Sequence, residues 1–176
     1  MDNILKQSID WKITETSFFT IKSFASSTGL VYHEYTSHKA VGGWPLVHIT
    51  IGRNPETQRR KVAKGVVAIG RIAIGVFPIG QLAIGVFPLG QLSVGLVVAL
   101  GQAAFAPVAI GQLAVGLLFA LGQVACAYAA IGQIAVGKYC IGQAGVGAHV
   151  WTMKVKDPAA LEFFRGILAQ LLSKLR

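Results

Sequence analysis

Few residues of this chain have the type and spacing to do chemistry, and most of them lie outside its repetitive middle. In YHEYTSH, residues 32–38, His33 and His38 flank Glu34, three side chains of the kind that hold a divalent cation. The remaining histidines, His48 and His149, add no ligand spacing, and the alternation of the segment reads as a solvated strand. No metal is therefore expected. Cys126 and Cys140 stand where other repeat units carry Ile and Ala, which marks them as small apolar core residues and not as a disulfide or metal pair.

Between Glu56 and Asp157 there is no acidic residue, so that stretch lacks paired carboxylates for acid–base work. Its glycines match neither a dinucleotide nor a phosphate-loop pattern, because their spacing is uniform and no Lys-Ser/Thr follows. No Ser or Cys has an evident base beside it. The expectation is a non-enzymatic protein with no catalytic residue, cofactor or metal. One charged feature remains: RRKVAK places Arg59, Arg60, Lys61 and Lys64 just ahead of the repeats, with Arg53 shortly before them. Such a cluster suits an anionic lipid surface, and a solvated turn is the plainer reading. The basic residues are not interleaved with aromatics on one face, so nucleic acid is not an expected partner.

Composition narrows the class. Apolar residues make up 53% of the chain and charged ones 13%, against the roughly 25% charged of ordinary soluble domains. The formal net charge of +9 is spread over several places. MDNILKQSIDWK holds no apolar run long enough for a signal peptide, which gives a cytoplasmic location, or the inner face of a membrane, as the expectation.

The middle of the chain is a repeat. From Ala63 it reads in fives (AKGVV, AIGRI, AIGVF, PIGQL) through seventeen pentads to His149, with Val98 and Phe119 as single insertions. The first position is always Ala, Ser, Cys, Gly or Pro. The third is Gly except at Ala106 and Ala127. The fourth alternates, giving Arg71, Gln81, Gln91, Gln102, Gln112, Gln123, Gln133 and Gln143 with mostly apolar residues between them. The insertions are twenty-one residues apart, as are the two alanines that replace glycine.

A period of five carries glycine around every face of an α-helix, and each glycine there costs about 1 kcal/mol relative to Ala. Pro78, Pro88 and Pro107 would break such a helix further. Short strands separated by bends explain every position instead. The expected fold is mainly β: a β-solenoid-like stack of about four coils, each near twenty residues, with large apolar positions two and five inside. Rows of Gln and Arg would then mark two sides of the column. The domains read as 1–62, an N-terminal β cap; 63–149, the glycine-pentad repeat; and 150–176, a final strand and an amphipathic helix. WPLVHITIG and VAKGVV read as strands around the turn RNPETQRRK. Asp157-Pro158 reads as the helix N-cap and first turn, with Leu161, Phe164, Leu168, Leu171 and Leu175 on a face that covers the last coil.

The run from WPLVHITIG through the basic turn to VAKGVVAIGRIAIG resembles the uncharacterised bacterial glycine-rich AIGxx pentad-repeat proteins, often labelled hypothetical or membrane proteins. The resemblance covers roughly residues 44–150. The glycine-punctuated short strands are also similar to the β-flower family, which implies a shallow barrel with hairpin petals as an alternative architecture. Neither resemblance brings an activity or catalytic residues. The function expected is that of a structural or interaction module whose apolar repeat faces dock on itself, on a protein partner or on a membrane. The alternative is a multi-pass helical protein with glycine-rich transmembrane segments.

Overall fold

The computed structural model describes residues 10–25 and 31–174. Leu175, Arg176 and the opening MDNILKQSI lie outside the described residues. The chain is mainly β, a solenoid of about nine turns preceded by antiparallel strands and followed by one helix. Neither the helical nor the shallow-barrel alternative is the fold observed. By internal packing it comprises two units, Met1–Gly90 and Gln91–Arg176, with the division inside the repeat and not at its edges.

In the first unit, β1 (Lys12–Glu15), β2 (Phe19–Ala25), β3 (Val31–Ser37) and β6 (Val47–Gly52) pair antiparallel in that order. The alternation read in YHEYTSH is thus strand, through Ser37. Between them, β4 (Ala40–Val41) and β5 (Trp44–Pro45) form a hairpin whose two-residue turn, Gly42-Gly43, needs φ of 59° and 79°. That left-handed pair is the turn glycine accommodates without a Cβ penalty. From β6 the pairing becomes parallel. β7 (Ala63–Ile69) lies on β6 with Val47 opposite Val67, an offset of twenty, because the loop between them adds a ten-residue excursion. β8 (Ile72–Gly85) lies on β7 with Ala63 opposite Ala73 and Ile69 opposite Ile79, an offset of ten.

β9 (Leu89–Gly95) runs across the division between the units. In the second unit, β10 (Val98–Cys126), β11 (Ala129–Val136), β12 (Tyr139–Val146) and β13 (His149–Trp151) continue in parallel. Ala120 is opposite Ala130, and Ala130 opposite Cys140. The offset is again ten.

Each turn of the solenoid is therefore a decad of two pentads. The expected coil of about twenty residues occurs only at the entry, and the twenty-one-residue recurrence is two turns, one of ten and one of eleven. The eleven-residue turn shows in the glycine stack, where Gly122 lies over Gly111 whereas Gly111 lies over Gly101.

The interior is the reverse of the expected one. Ala68, Ala73, Pro78, Ala83, Ser93 and Ala99, all first-position residues, are fully buried, and Tyr32, Pro78, Pro88, Cys140 and Ser93 are the largest side chains with no exposure. Positions two and five point outward or lie half-buried: Ile79, Ile84, Leu89, Leu92, Leu100 and Leu113 are exposed. Two pentads make a coil whose opposite walls stand too close for anything larger than Ser, Cys or Pro.

The third-position glycines show why. A Cβ on Gly122 would lie 2.0 Å from the Gly111 carbonyl oxygen, and one on Gly111 would lie 2.0 Å from that of Gly101. These glycines have ordinary φ; they are required by the approach of backbone to backbone. With Ala in one slot and Gly in the next, large side chains have only the outside left.

The C-terminal helix α1 (Pro158–Lys174) begins as its sequence implies. Asp157 Oδ1 accepts the Ala159 N–H at 3.0 Å, an N-cap bond, and Pro158 takes the first turn. Its docking is shorter than expected. Ala160 is buried and Phe163 stacks on Tyr139 at 3.9 Å between ring centroids, but Ile167, Leu168, Leu171 and Leu172 stand exposed.

Candidate functional site

Two features stand out: the apolar exterior of the turns and a buried polar group at the entry to the solenoid. The exterior follows from the pentad rule. Large side chains that recur every ten residues stack in rows up the outside, as Phe77 and Phe87 do at 5.4 Å and 15°. Within the second unit, Leu96 and Leu117 are 73% and 75% exposed, and Leu118, Ile134 and Val146 are exposed as well. The free face of α1 adds four more apolar residues.

Gln102, Gln112, Gln123, Gln133 and Gln143 are all exposed and recur at turn spacing in the second unit. Arg71 and Gln81 do so in the first, where the Gln81 N–H donates to the Arg71 carbonyl at 3.1 Å. Gln91 is exposed too. With ten residues per turn these form one row per unit, not the two sides expected of a twenty-residue coil. The other fourth positions, including Leu96, Leu117 and Lys138, form the opposite, mostly apolar row.

Cys140 is buried as expected, with its thiol near the Gly137 and Val146 carbonyls, and burial raises its pKa. Cys126 holds an outward position and is exposed, which corrects its assignment to the core. Tyr128 and Tyr139 lie edge to face at 5.7 Å, and the Lys138 ammonium stands 5.4 and 5.6 Å from their ring centroids.

At the entry, Glu34 is buried on β3 beside Tyr32 and opposite β6. His48 Nε2 donates to Glu34 Oε1 at 3.0 Å, the Lys61 ammonium donates to the same oxygen, and the Tyr32 hydroxyl donates to Oε2 at 2.7 Å. The Lys64 N–H donates to His48 Nδ1 at 2.9 Å, which fixes the imidazole with its proton on Nε2. Burial acts to raise the Glu34 pKa, but the bonds from His48, Lys61 and Tyr32 outweigh it and hold the carboxyl down at about 2. Burial and the neighbouring carboxylate push the Tyr32 phenol above its ordinary range. A cavity of about 360 Å³ opens beside Glu34, lined by Thr20, Lys22, Thr36, Ser37 and Lys61. The four groups satisfy one another, and their work is to tie the antiparallel cap to the first parallel strands.

The trio His33, Glu34 and His38 is not brought together. Adjacent strand residues point to opposite faces, so His33 parts from Glu34, and His38 Nε2 pairs with Thr20 Oγ1 at 3.0 Å. Among the described residues no cluster of three or more His, Cys, Asp or Glu is placed to hold a metal. The Glu34–His48–Lys61 group was missed because its members are 14 and 27 positions apart. Of the basic residues, Lys61 is bonded to Glu34, Arg53, Arg59 and Arg60 stay exposed on the loop, and Lys64 points outward from β7.

No protein-family model matches this sequence, and neither does any curated protein or any solved structure. The function must be argued from the residues.

Proposed function

We propose that this chain is a non-enzymatic module that docks on a lipid bilayer through the outward apolar rows of its solenoid. The observation that carries the reading is the inverted burial: methyl groups inside, Ile, Leu, Val and Phe outside. Exposed apolar side chains that recur turn after turn make the kind of surface that a partner or a lipid covers. The parallel ladders bond each turn's backbone to the next, so apolar faces can enter a low-dielectric medium without unpaired N–H and C=O groups along their length. No helix among the described residues is long and apolar enough to cross a membrane, so contact would run through strands and through the free face of α1. The glutamine rows, costly in hydrocarbon, are the sides that would face water or headgroups.

The test is flotation with phosphatidylcholine vesicles, followed by far-UV circular dichroism without detergent. The wild-type chain is expected to float with a β-dominated spectrum. Leu96→Ser with Leu117→Ser is expected to weaken flotation about tenfold or more, since each leucine removed from apolar contact forfeits roughly 1.5–3 kcal/mol, while the melting curve stays in place. A chain that never floats and forms concentration-dependent oligomers would show that its rows cover a second copy instead.

A further inference from the structure

We propose that Arg53, Arg60 and Arg71 form a binding site for the phosphate of an anionic lipid headgroup, an inference that deepens the membrane reading and rests on it. Two sets of contacts bring these residues together. The Asn54 N–H donates to the Arg59 carbonyl at 2.9 Å and the Gln58 N–H to the Asn54 carbonyl at 2.8 Å, so the loop closes on itself and Arg53 and Arg60 flank the closure side by side. Thr50 Oγ1 donates to the Lys61 carbonyl at 3.1 Å, and Gly70 approaches the same hydroxyl so closely that a Cβ on it would lie 2.5 Å away. Arg60 precedes Lys61 and Arg71 follows Gly70, which places both next to that contact.

Among the described residues no carboxylate forms an ion pair with Arg53, Arg60 or Arg71. The lysines and arginines among them make one ion pair, Lys61–Glu34, while His48 and His149 bond to Glu34 and Asp157. The acid of the loop, Glu56, accepts the Trp11 indole N–H at 2.9 Å instead. Crowding shows on Arg60, whose pKa is lowered by desolvation first and by the Arg71 and Arg53 charges next. Planar guanidiniums carried on neighbouring backbone, close enough for their charges to act on one another, suit the oxygens of a phosphate. A lipid source is favoured by the neighbour: the Gly70 N–H donates to the carbonyl of Ile79, an exposed residue of the apolar rows. A headgroup held by the triad has an apolar surface beside it for its acyl chains.

The experiment compares binding of the full chain to vesicles of phosphatidylcholine alone and of equal parts phosphatidylcholine and phosphatidylglycerol, at low and high salt. Each basic residue near an anionic surface contributes about fivefold, so the triad is expected to give about a hundredfold preference for the anionic vesicles, falling as salt rises. Arg53→Gln with Arg60→Gln and Arg71→Gln should abolish that preference and keep binding to neutral vesicles. Equal wild-type binding to both compositions would overturn the headgroup site and leave the membrane reading standing. Failure to bind either would overturn both. A preference that survives in the triple variant would place it elsewhere and overturn the triad. Thermal stabilisation by inorganic phosphate, without preference between vesicles, would assign the triad to a soluble anion and overturn the lipid assignment.

Discussion

The entry to the solenoid and the coils of the second unit are both built on parallel strands, yet they are held in register by opposite means. At the entry the strand offset is twenty residues, and the region contains a buried Tyr, Glu, His and Thr. Their directional bonds decide which groups meet. In the coils the offset is ten or eleven, and the interior holds methyl groups and glycine hydrogens. Apart from the Ser93 hydroxyl, which donates to the Leu100 carbonyl at 2.7 Å, and the Cys140 thiol, little directional is left inside, and exclusion of any larger group fixes the register. A wide core is specified by what it contains, and a narrow one by what it cannot admit.

The comparison breaks most severely if a methyl is forced into the glycine ladder. Gly122→Ala would place a Cβ 2.0 Å from the Gly111 carbonyl oxygen and 3.1 Å from its carbon, both rigid backbone. The turns must separate and lose ladder bonds on both sides. The expected cost exceeds about 4 kcal/mol, in the range of severe overpacking. Gln123→Ala, next in the chain and exposed, should stay within about 0.5 kcal/mol. Thermal unfolding followed by circular dichroism measures both, and similar melting points would contradict a register set by exclusion.

Much of this was legible in the sequence. The pentads, their pairing into decads, the β class, the entry strands and the Asp157-Pro158 cap all follow from spacing and turn chemistry. The inside and outside were not, because patterning rules send large apolar groups inward and here backbone spacing overrides them. The signal was present all the same: position one accepts only Ala, Ser, Cys, Gly or Pro, whereas position five ranges from Ala to Phe. An interior of fixed width tolerates no such range. The Glu34 group could not be read at all, since only the antiparallel pairing of β3 with β6 brings Glu34 to His48.

A smaller effect tests how the coil accommodates its own exceptions. Ala106 and Ala127 each stand eleven residues after the glycine of the turn before, Gly95 and Gly116, and are the two places where a methyl replaces the third-position glycine hydrogen. Deleting Leu118, an exposed residue of the eleven-residue step between Gly111 and Gly122, should press the Ala127 methyl onto the turn before it and cost about 3 kcal/mol. Deletion combined with Ala127→Gly should recover most of the loss, while Ala127→Gly alone costs about 1 kcal/mol or less. A double-mutant cycle reads the coupling directly. Additive losses would mean that the inserted residue and the alanine merely coincide.

The smallest effect belongs to the entry, and it depends on pH. The Glu34 carboxyl is held at about 2 in the folded chain against an ordinary 4.5. Its lowered pKa contributes stability that is fully present above the unfolded value and is lost as pH falls through the folded one. The first unit should therefore weaken between about pH 4.5 and about pH 2. Glu34→Gln removes the charge that meets Lys61 and should cost on the order of 2 kcal/mol at neutral pH. Across the acid window its stability should change less than that of the wild type, so the two curves converge as pH approaches 2. Parallel curves would show that the carboxylate contributes nothing to the fold beyond its shape, and the entry would then be held, like the coils, by packing alone.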